Sequence, residues 1–71
     1  MATQERVEVG ERGIRLGQLL KLVGWADTGG AAKELLAQGL VRVNGAVEVR
    51  RGAQLAVGDL VLLAGHEVLL S

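Results

Sequence analysis

No cysteine occurs anywhere in this 71-residue chain, so neither a disulfide nor a thiolate-bound metal can hold it together. Proline is absent as well, and Trp25 is the sole aromatic side chain. A chain of this size buries only about 60% of the surface its unfolded form exposes. Its stability therefore rests on the aliphatic side chains that dominate an apolar content of 49%. That constraint favours one core made by packing helices on a sheet, in a single domain spanning residues 1–71.

Hydrophobic periodicity changes along the chain in a way that sketches the elements. Val7-Glu8-Val9 alternates at period 2, so residues 6–9 are expected to form a short strand ended by Gly10. Leu16, Leu19, Leu20 and Val23 fall at i, i+3, i+4 and i+7, which lines one face of a two-turn helix, and Gly24 sits where its C-terminal cap belongs. Asp27 or Thr28 can cap a second helix whose stripe is Ala31, Ala32, Leu35 and Leu36, ended by Gly39. Isolated helices this short are marginal in water, so both must pack on each other and on a sheet. Leu40 to Val43 then alternates as a strand. Asn44-Gly45 is a strong hairpin signal, because both central residues of a type I′ turn need positive φ. Ala46 to Val49 returns as its partner, Leu55 and Val57 stay extended, Gly58-Asp59 turns into a strand Leu60 to Leu63, and Gly65-His66 turns into a last strand, Glu67 to Leu70.

Several classes of function find no support. The N-terminus runs from Met1 to Arg6 into alternating Val and Glu instead of the apolar stretch of a signal peptide, which with the lack of cysteine makes the cytoplasm the expected compartment. Asp59, His66 and Glu67 interrupt the most apolar segment well before the roughly 18 residues of a membrane span. Thr3, Thr28 and Ser71 are the only hydroxyls, His66 has no thiol partner, and the acids are scattered, so no enzyme, cofactor or metal site is expected. Gly10, Gly13 and Gly17 lack dinucleotide-binding spacing, and no Walker lysine follows Gly29-Gly30. His66 reads as a turn residue and Trp25 as a core plug, with base stacking as the sharper alternative for Trp25.

Net charge is zero, but it is unevenly placed. Residues 1–11 sum to −2 and residues 52–71 to −2, whereas residues 12–51 carry seven basic against three acidic side chains, a net of +4. Phosphate is bound by patches, not by totals. Arg15-Leu16 opens a helix, Ala32-Lys33 lies in a second, and Gln38 to Gly45 leads from that helix straight into the Asn-Gly hairpin, with Gly58-Asp59 before a further apolar strand. This order over about residues 14–64 resembles the S-four RNA-binding domain, also called the alpha-L motif. Leu20-Lys21-Leu22, Gly24-Trp25, Gly39, Gly45 to Glu48 with Arg50, and Ala64-Gly65-His66 look like its small stand-alone bacterial YbcJ-like members.

The resemblance implies an α+β fold, two short antiparallel helices packed on a small, mostly antiparallel β-sheet. It also implies binding of structured RNA, ribosomal RNA or another folded bacterial RNA, through a face shared by the helices and the hairpin. By position, the implied contacts are Arg15, Lys33, Arg42, Asn44, Arg50 and Arg51, and Lys21, which faces away from the apolar stripe of its helix, is expected to extend the patch. Each has a plainer reading: Arg50-Arg51 as a solvated loop beside a sheet edge, Lys33 and Arg42 as solubilising charges, Asn44 as a turn residue. Many family members have a Ser-Arg pair where this chain has Thr28-Gly29, although glycine amides at a helix start can themselves receive a phosphate. Two other functions stay open at this level: a protein–protein adaptor that keeps the fold without RNA affinity, and a binder of a small phosphorylated ligand at Gly29-Gly30. A monomer is expected, unless residues 6–9 and 67–70 form an open sheet edge that pairs with a second copy.

Overall fold

Both predicted helices form, each ended by the glycine that the sequence supplies. In the computed structural model, which describes residues 3–71, α1 spans Leu16–Leu22 and α2 spans Gly29–Ala37. Gly24 and Gly39 follow their helices with φ of 82° and 73°. Of the two candidate caps for α2, Thr28 does the work: its hydroxyl accepts from the Ala31 amide at 3.0 Å.

The strands are β1 (Thr3–Val7), β2 (Ile14–Arg15), β3 (Val41–Val43), β4 (Ala46–Val47), β5 (Gln54–Leu55), β6 (Leu60–Leu63) and β7 (His66–Leu70). Five of them build one sheet in the order β1-β7-β6-β3-β4, and β2 pairs with β5 in a separate antiparallel ladder. All pairs are antiparallel except β1 with β7. The architecture is the α+β arrangement of two short helices on a mostly antiparallel sheet.

One side of the sheet and the apolar stripes of the helices make the core. Leu16, Leu19, Leu20, Ala32 and Leu36 from the helices meet Val41, Val61, Val68 and Leu70 from the strands, and Trp25 packs half-buried at the margin. No polar or charged side chain is buried among the described residues. Complete burial of eight large aliphatics, at about 1.5–3 kcal/mol each, supplies the driving force that disulfides provide in other small domains.

Four expectations shift. The first strand runs over Thr3–Val7 instead of 6–9, because its parallel partner β7 ends at Leu70 opposite Val7 and leaves Val9 only a single bond, to the Ser71 carbonyl. Residues 67–70 are consequently an interior strand, paired on both sides, and offer no edge to a second copy. The partner of β3 is two residues long, since Glu48 folds back on its own loop. The last hairpin turns at Ala64-Gly65, with His66 already opposite Leu63 in the ladder and its ring 6.3 Å from that of Trp25. Among the described residues no helix is long and apolar enough to cross a membrane.

Ala64 adopts φ of 47°, like Asn44 at 51° in the equivalent place of the first hairpin. A left-handed alanine costs about 1–2 kcal/mol, whereas asparagine tolerates that region. Replacement Ala64→Asn is therefore expected to raise Tm by about 4–8 °C in thermal unfolding, and an unchanged Tm would show the turn to be unstrained.

Candidate nucleic-acid interface

The loop between β4 and β5 is folded by one carboxylate. Glu48 Oε2 accepts from the Val49 and Arg50 amides at 3.0 and 3.1 Å and from Arg50 Nε at 3.2 Å, while Oε1 accepts from Arg50 Nη2 at 2.9 Å. This fork is the only ion pair among the described residues. Its hydrogen bonds, chiefly those from the Arg50 side chain, hold the Glu48 carboxyl well below its ordinary 4.5, at about 2.

Beyond the fork the loop lies on the first turn of α1. The Arg51 carbonyl accepts from the Gly17 amide and the Ala53 carbonyl from the Leu16 amide, both at 2.9 Å. Two of the four N–H groups that every helix start leaves open are thus satisfied by the loop backbone. The approach requires glycine: a Cβ on Gly17 would overlap the Arg51 side chain and lie 3.2 Å from its carbonyl oxygen. Arg51 crosses Gly17 and brings Nη1 to 3.5 Å from the Gly29 carbonyl, a long contact at the start of α2.

Three distant segments so enclose a cleft of about 290 Å³. Arg15 lines it from the end of β2, Gly17, Gln18 and Lys21 from α1, Gly29 from α2, and Arg51 with Gly52 from the loop. Gln18 is held in place by accepting from the Arg15 amide at 3.2 Å. No acid lines the cleft, and neither helix has an acidic residue in its first turn. Cations near the positive end of a helix dipole cost about 0.3–1 kcal/mol each. The chain tolerates this at Arg15 and Arg51, so the cleft is electropositive and complementary to an anion. Of the acidic segment 1–11, Glu8 and Glu11 lie elsewhere, beside Val57 and Ser71 in a separate hollow.

The predicted contacts divide into three groups. Arg15, Lys21 and Arg51 converge on the cleft. Lys33 is exposed one turn along α2 from Gly29 and flanks it, and Arg50 adjoins Arg51 with one edge of its guanidinium bound to Glu48. Arg42 and Asn44 stand apart. Val41 and Val43 point into the core, so the pleat turns Arg42 to the opposite side of the sheet, away from the helices. Asn44 Nδ2 donates to Asp59 Oδ1 at 3.0 Å and its Oδ1 accepts from the Leu60 amide at 2.9 Å, which ties the first hairpin turn to the Gly58-Asp59 turn. Sequence reasoning missed Gln18, Gly17 and Gly52. Gly17 left a signal, since a glycine inside an amphipathic helix costs stability and usually marks a close packing contact.

The S4 domain family model matches residues 7–70, which takes in both helices, the loop and nearly all of the sheet. The chain belongs to the S4 domain family. Among its relatives is YbcJ of Escherichia coli, a protein named for RNA binding, 46% identical over 55 residues that make up 78% of this chain and 79% of that one. A second relative, RlbA of Bacillus subtilis, is named for ribosome maturation and is 46% identical over 52 residues, 73% of each chain. The solution structure of E. coli YbcJ superposes with a TM-score of 0.70 at 38% identity, covering 99% of this chain and 90% of that one, and is described as an alpha-L motif involved in RNA binding.

The depressed Glu48 carboxyl fixes the pH window of the loop. Its folded value lies below the ordinary 4.5, so the fork contributes fully above that pH and is lost as pH falls towards about 2. An NMR titration of the Glu48 carboxyl is expected to show a midpoint near 2. A midpoint near 4.5 would mean that the fork does not persist in solution.

Proposed function

We propose that this S4 domain is a non-catalytic, cytoplasmic module that binds structured RNA by receiving backbone phosphate in the cleft between the two helix starts. The observation that carries the reading is the convergence of Arg15 and Lys21, from α1 and its N-cap, with Arg51, from the distant β4–β5 loop, on a cleft with no acidic lining. Phosphate suits that chemistry because guanidinium forks bind its oxygens in pairs and the ammonium of Lys21 adds a mobile charge. Lys33 and the free edge of Arg50 extend the patch along the path of a nucleic-acid backbone. Without aromatics in the cleft, recognition works through shape and phosphate spacing instead of base stacking. The names of YbcJ and RlbA support the same reading, and RlbA makes ribosomal RNA the first target to test.

Fluorescence anisotropy with folded ribosomal RNA fragments, at several salt concentrations and against duplex DNA, tests this directly. Arg51→Glu or Lys21→Glu is expected to weaken RNA binding about 10- to 100-fold, the worth of a charge-assisted contact. Each should also lower the slope of log affinity against log salt by about 1. The same reversal at Arg42, on the far face of the sheet, should cost much less. Binding that ignores salt and both cleft variants would remove the proposal.

A further inference from the structure

The helices cover one face of the five-stranded sheet, and the pleat sends alternate side chains to the other. Val47 is 50% exposed there, on the same face as half-buried Leu60, Leu62 and Leu69. None of these four belongs to the core cluster. Leu60, Leu62 and Leu69 adjoin one another across β6 and β7, and an aliphatic cluster on an uncovered sheet face marks a place of association.

Charge shows what fits it. One row across the sheet reads Val47, Arg42, Leu62, Glu67, Gln4. Arg42 and Glu67 stand one strand to either side of Leu62, about 10 Å apart at ordinary strand spacing. They make no ion pair with each other, and neither makes one with any other described residue. We propose that this face packs on the same face of a second copy, about a two-fold axis running along β6 at Leu62. Such a rotation lays Leu62 on Leu62 and Leu60 on Leu60. It also carries each Arg42 over the other copy's Glu67, so both charges are matched twice. An axis running across the strands would set Arg42 on Arg42 instead, and the charges therefore select the first geometry. It is the aligned stacking in which twisted sheets pack.

The pair is weak. Five strands about four residues long present roughly 300 Å² per copy, against the ~800 Å² per partner of a stable complex. The proposal is independent of RNA binding, because the face is turned away from the cleft and both clefts of the pair stay open. Sedimentation velocity of the full chain from about 20 µM to about 1 mM tests it. Wild type is expected to shift towards dimer as concentration rises, whereas Arg42→Glu and Glu67→Arg should each sediment as monomers. An equimolar mixture of these two variants should dimerise again, because every cross-contact then joins opposite charges, and a variant that had failed to fold could not do this. A wild type that stays monomeric at about 1 mM, single variants that associate like wild type, or a mixture that stays monomeric would each overturn the proposal.

Discussion

The β4–β5 loop resting on the first turn of α1 is the contact on which the rest of the molecule depends. Its two carbonyls close the helix start, its continuation places Leu55 in the core beside Ile14, and its Arg51 side chain bridges to α2. Two missing side chains allow this: Gly17 lets Arg51 cross the helix start, and Gly13 lets the Leu55 carbonyl approach, where a Cβ would overlap it. The same contact serves stability and electrostatics: the backbone that caps the helix is the backbone that delivers the guanidinium. An S4 fold with the loop displaced would keep its sheet and lose the enclosure of its cleft.

Much of this was legible in the sequence, for reasons that differ from element to element. The helices announced themselves by period and by their terminating glycines, and Asn44-Gly45 dictated its own turn. Short-range chemistry of that kind is written locally. The parallel pairing of β1 with β7 joins the two ends of the described chain, and no local signal encodes a partner some sixty residues away. The turn at Ala64-Gly65 was displaced by one residue because alanine rarely takes positive φ and so hid the first turn position.

The site was half legible. Counting charge along the chain found the basic stretch from which Arg15, Lys21 and Arg51 come, but a linear count carries no information about faces. Arg42 illustrates the difference, since its two valine neighbours already specify by alternation that it points away from the core. Asn44 illustrates another. The Asn-Gly and Gly-Asp pairs are among the residues by which the chain resembles its family, and they hydrogen-bond to each other across two turns. A shared motif can therefore record what the fold needs.

The pairing of the first strand with the last sets an order of events during synthesis. β1 leaves the ribosome long before β7 exists, and the helices and the central hairpins can collapse while it waits. Its side chains suit that interval: Gln4, Glu5 and Arg6 are exposed and polar, and Glu8 follows at once. Charges on a strand without a partner discourage pairing with other nascent chains. The edge of the sheet is thus the last part to be laid down, and the sequence of β1 reads as that of a segment adapted to being unpaired.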